Sequence, residues 1–258
     1  MKKIFYIIKK NLLIEMHYKF SFFSLFFSSI FTLLIFFMID RYFKSKISPF
    51  LTIDYFSYIF ASFMIFIYSS NQIITNSINF DINIQIFEKF SEERFIKYYL
   101  WALIIYSFII SGFEIFLFLI FAMTFKTINF NINLPSFIIL IILSSLSFSA
   151  LSIITASFII LFKRGNIIAF LISIIESFFC GVYFPVDAIP KYLKPLSNIL
   201  PMTYSIKASQ KILYFKSSIY DLYEIKILSL FLLLLPISFL IFKKAIYIAK
   251  KSGILNHY

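Results

Sequence analysis

The sequence predicts an all-α integral membrane protein with six transmembrane helices. Of its 258 residues, 61% are hydrophobic and only 14% are charged, whereas a soluble domain carries about 25% charged residues. The mean hydropathy is +0.92. Apolar runs recur along the whole chain, and most of the charges flank them. This composition leaves too little polar surface to cover a water-soluble globule, so we expect most of the chain to face lipid.

Each predicted span is a run of about 20 mainly apolar residues, the length at which a helix crosses the hydrocarbon core. Pro135 stands just before the fourth run, where a proline is tolerated in the first turn of a helix. No polar interval is long enough for a second core, so residues 1–258 are predicted to form a single membrane domain. The six spans are approximately 20–39, 55–75, 98–125, 136–162, 165–184 and 225–243.

Residues 1–19 are predicted to form an N-terminal interfacial helix that lies on the membrane surface. On a helical wheel, most of the lysines and His17 gather opposite an apolar side. That side consists of Ile4, Phe5, Ile8, Leu12 and Met16. The alternative is an ordinary basic leader before the first span. Lysines occur throughout the segment and no small-residue cleavage site follows, so we do not expect a signal peptide.

The distribution of lysine and arginine predicts that both termini are cytoplasmic. These residues are enriched in short cytoplasmic segments of membrane proteins. Here they favour the side that holds residues 1–19, 76–97, 163–166 and the C-terminal tail. The formal net charge of +12 is then explained by contact with anionic membrane lipid. We do not expect nucleic acid as a partner.

The segment 176–204 differs from a simple spanning helix because its apolar run is interrupted at Gly181. Four of the chain's seven prolines follow: Pro185, Pro190, Pro195 and Pro201. Proline removes a backbone donor and stops helices, and within a membrane such breaks persist only where protein or a water-lined cavity covers them. We therefore expect a helix that stops short, followed by short external re-entrant helices before the last span.

The sequence contains no motif for catalysis, cofactor binding or metal binding. It has no GxxxxGK[ST] phosphate loop, and His17 and His257 lie near opposite ends of the chain. The single cysteine, Cys180, excludes an internal disulfide. We therefore expect no catalytic residues, no metal and no cofactor bound by this chain. If it moves a solute uphill, the free energy must come from a partner or an ion gradient.

Two acidic residues, Glu114 and Glu176, lie within otherwise uncharged spans. An ionised carboxylate in the membrane costs several kcal/mol unless it is paired or hydrated, so both side chains are expected to face the interior of the protein. One interpretation places them on a transport path. The other is a structural role in interhelical hydrogen bonds, for which the candidate partners are Ser107, Ser173 and Ser177.

The predicted cytoplasmic loop 76–97 contains a short amphipathic pattern that mixes aromatic residues with charges of both signs. A helix there could dock in a groove of a soluble partner, or it could lie solvated on the lipid headgroups. Its candidate contact residues are Phe87, Glu88, Phe90, Glu92, Glu93, Arg94 and Lys97, with Tyr98 on the same face as the two phenylalanines.

The stretch from Phe178 to Leu213 resembles the signature of the type-2 ATP-binding-cassette (ABC) exporter permeases. The residues 12–23, LLIEMHYKFSFF, also resemble the start of that family's first span. Length, six spans and inside termini agree over nearly the whole chain. The matching elements of the signature are Gly181, Phe184-Pro185, Ile189-Pro190, the stretch 193–199, Leu200-Pro201 and Thr203-Tyr204.

This resemblance implies the transmembrane subunit of an exporter in the cytoplasmic membrane. Two permease subunits, identical or different, would pair with two separate ATPase subunits that bind ATP and Mg. Residues 1–19 would form the interfacial helix, the 76–97 loop would hold the coupling helix, and residues 185–215 would form the external re-entrant helices. The coupling region SEERFIKYY keeps the acidic residues and Arg94 but lacks the Gly-Thr pair of many relatives.

Two other functions remain as alternatives. A proton-coupled secondary transporter would use Glu114 and Glu176 as proton carriers. A membrane-embedded enzyme, such as a lipid-headgroup transferase, would need clustered acidic or histidine side chains at one membrane face. The sequence does not show such a cluster.

Overall fold

The computed structural model describes residues 2–17, 27, 30–32, 34–39, 41, 54–89, 93–124, 131–162 and 165–252. Within these ranges the chain forms helices and no strands. The predicted N-terminal helix is confirmed, whereas its position on a membrane surface remains a prediction. In chain order the helices are α1 (Lys2–His17), α2 (Tyr55–Lys89), α3 (Glu93–Thr124), α4 (Leu134–Phe162), α5 (Gly165–Phe179), α6 (Lys194–Ile199), α7 (Pro201–Phe215), α8 (Tyr223–Phe231) and α9 (Leu234–Lys251).

Four segments of the described chain are long and apolar enough to cross a membrane, and they match the predicted second, third, fourth and sixth spans. Half of the predicted first span, 20–39, lies outside the described residues, although those described between Ile30 and Ile39 are helical. The fifth span is shorter than predicted. At 15 residues, α5 is about 22 Å long, against about 30 Å for a hydrocarbon core. The chain is therefore a helical membrane protein, and six complete spans remain a prediction.

The predicted 76–97 loop is mostly helical, and its helical part is longer than the short helix expected there, although the membrane-capable part of α2 ends at Ile74, close to the predicted end of the second span. The helix α2 continues through Asn76 to Lys89, and α3 begins at Glu93. The reason lies in the sequence, which has neither glycine nor proline between residues 50 and 111, so no residue stops the helix where its polarity rises. With 35 residues, α2 is about 52 Å long and exceeds the thickness of a hydrocarbon core.

Helix α4 lies at the centre of the bundle, where it contacts α2, α3, α5, α7, α8 and α9. Its buried positions include seven serines and one threonine. Small residues allow membrane helices to approach closely, which explains how one helix can contact so many others. These buried residues are Ser136, Ser144, Ser145, Ser147, Ser149, Ser152, Thr155 and Ser157.

The predicted last span, 225–243, is interrupted near its middle. Helix α8 ends at Phe231 and α9 begins at Leu234. Leu232 and Leu233 both make hydrogen bonds of the tighter i to i−3 type. Pro236 explains the break, because it has no N–H to bond the Leu232 carbonyl and its ring crowds that carbonyl.

Contacts distinguish two ends of the bundle. At one end, α1 packs against α3, and the first turns of α3 form a cluster with the last turns of α4 and α9. At the other end, the start of α2 meets the chain just after α5, and the segment before α4 bonds the last turn of α7. Helices α1 and α9 therefore place the two ends of the described chain away from the proline-rich segment.

Candidate functional site

The predicted break near Gly181 is present, and a hydrogen bond to α2 marks it. Gly181 has a φ of 85°, a conformation that favours glycine. The hydroxyl of Tyr58, in the first turn of α2, donates to the Gly181 carbonyl. A Cβ at position 181 would lie 3.1 Å from Val186 Cγ2 and 3.3 Å from the Tyr58 hydroxyl. Backbone conformation and close packing therefore both require glycine here.

The prolines divide the following residues, 180–215, into short elements that we call the broken segment. A 3-10 turn covers Val186–Ala188, and α6 begins with Pro195 in its first turn. Leu200 is extended, and Pro201 then begins α7. Proline is accepted in the first turn of a helix but prevents the preceding helix from continuing. The chain therefore changes direction repeatedly instead of forming one straight helix.

Two side-chain hydrogen bonds hold the corner between α6 and α7. Thr203 Oγ1 donates to the Ser197 carbonyl at 2.6 Å. The Tyr204 hydroxyl donates to the Asn198 carbonyl at 3.1 Å. Both acceptors are carbonyls near the C-terminus of α6, where carbonyls lack the usual i+4 partner within the helix, and the Ser197 carbonyl also accepts the Leu200 N–H. The Thr203-Tyr204 pair of the sequence signature therefore has a structural role at this corner.

Helix α7 is fixed to α2 by polar contacts. The Tyr214 hydroxyl donates to the Ser57 carbonyl at 2.7 Å, and burial raises the pKa of Tyr214 above its ordinary value, which keeps this donor protonated. Gln210 Nε2 donates to Ser62 Oγ at 2.9 Å. The broken segment is thus attached to α2 along two turns of that helix.

A cavity of about 770 Å³ lies between the broken segment and the start of α8. Its wall is part apolar and part charged, and two residues of the predicted signature, Gly181 and Pro185, contribute to it. Glu224 is buried, and its Oε1 accepts a hydrogen bond from Lys211 Nζ at 2.7 Å. The other charged side chains on the wall are Asp187, Lys207 and Asp221.

Glu114 and Glu176 are both buried, and each accepts a hydrogen bond from α2. Asn71 Nδ2 donates to Glu114 on α3, and Ser69 Oγ donates to Glu176 on α5 at 2.9 Å. Residues two apart on a helix are rotated by about 200° about the helix axis, so their side chains point to nearly opposite sides. The two glutamates therefore lie on different sides of α2, and the structure does not bring them into one site.

The predicted hydrogen bonds between helices are present at both glutamates, but the serines predicted as their partners are wrong. Ser107 is within 3.5 Å of Asn76 Nδ2, which donates to it. Ser173 and Ser177 donate to backbone carbonyls of their own helix at 3.1 and 2.8 Å. Serine hydroxyls within helices commonly form such local bonds, so proximity in sequence does not identify the partner of a buried acid.

The polar side chains of α2 that join the other helices were not predicted from the sequence. Gln72 Nε2 donates to Ser145 Oγ on α4 at 2.8 Å, in addition to the bonds of Ser69 and Asn71. The signal was available, because Asn71 and Gln72 are adjacent amides within an apolar run, and polar side chains in a spanning helix usually form bonds between helices.

The predicted coupling residues are only partly within the described structure. Phe90 and Glu92 lie outside it. The backbones of Phe87 and Glu88 end α2, and those of Glu93 and Arg94 begin α3. Lys97 is exposed in the second turn of α3. Of the signature residues, Pro190 precedes α6, and Phe184 is 37% exposed.

The long apolar helices, the polar contacts between them and the broken segment at one end define a polytopic helical membrane protein. The ABC-2 type transporter family matches residues 2–214. The chain therefore belongs to this family and is a permease component of ABC transporters. Helices α8 and α9 lie beyond the matched range. No curated protein matches the chain.

Proposed function

We propose that the chain is the permease subunit of an ATP-driven exporter that moves an amphiphilic, drug-like, lipid or glycan substrate outward across the cytoplasmic membrane. Membership of the ABC-2 family supports the transport role. The sequence has no phosphate loop, so separate ATPase subunits would bind ATP and Mg and supply the free energy. A second permease subunit, identical or different, would complete the transporter.

The observation that carries the proposal is the position of the broken segment. It lies at the end of the bundle opposite to α1 and to the last turns of α9, and it is fixed to α2 through Tyr58 and Gln210. An exporter needs an external end that opens for release and an internal end that a motor can move. The lysines of α1 and α9 favour their end as the cytoplasmic one.

The internal contact with the ATPase is proposed at the corner between α2 and α3. Because α2 is longer than a bilayer core is thick, its last turns extend beyond the membrane and act as a rigid lever. This corner carries the predicted coupling residues around Glu92, Glu93 and Arg94. Movement of the corner would be transmitted along α2 to its polar contacts with α3, α4, α5 and α7.

The cavity beside the broken segment supports an amphiphilic substrate. Apolar side chains such as Ile206 and Phe215 line it together with Lys207 and Asp221. A solute with both apolar and polar parts would find partners on such a wall as it leaves the bundle.

Purification from native membranes tests the proposal. We expect the tagged full-length chain to retain an ATPase subunit whose peptides contain GxxxxGK[ST]. Reconstituted together, the two should export substrate from vesicles only when ATP is present on the ATPase side. Isolation of the chain without any ATPase, under conditions in which known ABC complexes survive, would contradict the proposal.

The proton-coupled alternative receives less support from the geometry. Two proton carriers in one path should be linked by polar groups or water, whereas Glu114 and Glu176 face different sides of α2 and bond different side chains. The two mechanisms differ in their energy source, which the substitutions in the Discussion address.

A further inference from the structure

The cavity of about 770 Å³ beside the broken segment is lined by a buried carboxylate with only one of its two oxygens bonded. Glu224 is 8% exposed. Its Oε1 accepts a hydrogen bond from Lys211 Nζ at 2.7 Å, whereas its Oε2 has no hydrogen-bond partner among the described residues. Buried polar groups in folded proteins are almost always hydrogen-bonded, so each exception calls for an explanation. A ligand with an N–H donor would complete the bonding of this carboxylate.

A lysine on the same wall is available to bind an anionic group. Lys207 lines the cavity and is half-buried, and it forms no ion pair within the part of the chain that the structure describes. It precedes Lys211 by four residues on α7. Residues four apart are neighbours on one face of a helix, so this available cation lies about one turn from the lysine that bonds Glu224.

The remaining charged side chains on the wall are two carboxylates. Asp187 lies 3.4 Å from Lys194 Nζ, and its side chain is 88% exposed. Asp221 is exposed and precedes Glu224 by three residues, so it adds negative charge near the buried carboxylate. The wall therefore offers a ligand both a positive and a negative partner.

Most of the other side chains on this wall are apolar. Ile206 and Phe215 come from α7, Val186 from the turn after Pro185, and Leu222 from the residue before α8. Ligand pockets have volumes of about 300–1,000 Å³ and combine apolar walls with a few polar groups. The volume and the wall of this cavity therefore suit an amphiphile with a charged headgroup.

We infer that the cavity binds a zwitterionic amphiphile whose headgroup carries a primary ammonium and a phosphate. The ammonium donates to Glu224, and the phosphate accepts from Lys207. The acyl chain lies against Ile206, Phe215 and Leu222. The inference rests on the proposed export function, for which it specifies the class of substrate.

Charge complementarity distinguishes this ligand from simpler amphiphiles. An alkylamine would leave Lys207 without an anionic partner, and a headgroup without an N–H donor would leave Glu224 Oε2 unbonded. Hydrogen bonds between ionised groups are about twice as strong as neutral ones, and a site built to form them rejects analogues that lack the partner.

Equilibrium binding to the purified full-length chain in a neutral detergent tests the inference in the absence of an ATPase. The probe is a lysophosphatidylethanolamine, and native mass spectrometry gives its dissociation constant. Lysophosphatidylcholine with the same acyl chain should bind about tenfold more weakly, because its quaternary ammonium has no N–H and a hydrogen bond to a charged group contributes about that factor.

Two further ligands test the phosphate and the acyl chain. An alkylamine with a chain of the same length lacks the phosphate and should also bind about tenfold more weakly. Glycerophosphoethanolamine has the whole headgroup but no acyl chain. We expect it to bind more weakly than the lysolipid, because it buries no apolar surface against the wall.

Matched variants assign each preference to a residue. E224Q should abolish the preference for lysophosphatidylethanolamine over lysophosphatidylcholine, and K207Q should abolish the preference over the alkylamine. The controls D54N and K226Q change exposed residues at the same end of the bundle that are not among the described residues of the wall, and they should retain both preferences. K207R keeps the charge and should also retain them, which separates loss of charge from misfolding.

Equal affinity of the wild type for the two lysolipids, or equal loss in a variant and its control, would overturn the inference. ATP-dependent export without any headgroup preference would also overturn it but would leave the proposed function intact. Selective binding by a chain that retains no ATPase would instead support the site and contradict only the proposed function.

Discussion

The hydroxyl of Tyr58 and the backbone carbonyl of Gly181 form a buried hydrogen bond between residues 123 positions apart. The bond joins the first turn of α2 to the point where the chain leaves α5. Because Gly181 is also in the left-handed conformation, this contact fixes both the place and the direction of the break. The broken segment therefore has a defined geometry that a substitution can disturb.

We expect Gly181→Ala to destabilise the protein by about 1–3 kcal/mol, the cost of a side chain held in the left-handed region. The new Cβ would also crowd Val186 and Tyr58. The measurement is thermal unfolding of the purified full-length chain in detergent. Gly112→Ala is the matched control. No described atom lies within 4 Å of a Cβ built there. The free energy of unfolding of this variant should therefore equal that of the wild type or exceed it by up to about 1 kcal/mol, because glycine within a helix is less favourable than alanine. Equal stability of the two variants would contradict the prediction.

The pair Ser111-Gly112 lies within α3. Such a pair of small residues can let a neighbouring helix approach closely or allow a bend. No described atom of another element lies within 4 Å of a Cβ built at this position, and α3 is one helix from Glu93 to Thr124. A small residue permits close approach but does not require it.

Lys211→Met should lower the stability of the contact between α7 and α8, because Glu224 would remain buried without its cationic partner. Its Oε2 already has no hydrogen-bond partner among the described residues. The Lys211 side chain is 47% exposed, so we expect a loss of about 1–2 kcal/mol, between the values for exposed and fully buried pairs.

Lys226→Met serves as the control for the ion pair, because Lys226 is an exposed lysine on α8, two residues after Glu224. Thermal unfolding should show little change in this variant. The double substitution Lys211→Met with Glu224→Gln should recover part of the loss, since it leaves no unpaired charge. Equal effects of the two single lysine substitutions would exclude a specific role for the pair.

Glu176→Gln and Glu114→Gln distinguish the two energy sources. An amide oxygen can still accept the hydrogen bonds from Ser69 and Asn71 and occupies the same space, so ATP-driven export should continue at a rate comparable to that of the wild type. The measurement is efflux from vesicles with ATP, with and without a protonophore. Loss of transport in each variant, together with collapse in the presence of a protonophore, would establish the proton-coupled mechanism instead.

Reversing the charge of Glu92 and Glu93 to lysine should weaken binding of the ATPase and reduce its recovery with the tagged chain by about tenfold or more, because like charges at an interface cost several kcal/mol. The control Asp187→Lys with Asp221→Lys changes the same charge at the opposite end of the bundle and should leave recovery unchanged. If both double variants lose the ATPase equally, the proposed corner is not the contact.

The sequence alone determined the lipid-facing character of the helices and the break after α5, whereas the break in the last span was not predicted. Composition predicted the membrane environment, and Gly181 with its following prolines predicted the broken segment, because both are properties of single residues and their immediate neighbours. The full length of α2 was not predicted. The rise in polarity after residue 75 was expected to end the spanning helix, but no glycine or proline there prevents the helix from continuing to Lys89.

Only the tertiary structure decided which polar groups meet. Glu176 bonds Ser69 and not Ser173, and Glu114 bonds Asn71 and not Ser107. Such partners depend on the rotation and depth of each helix relative to its neighbours. An apolar span with few charges does not encode that rotation in its own periodicity, because it is set by how small residues on α4 allow the other helices to pack.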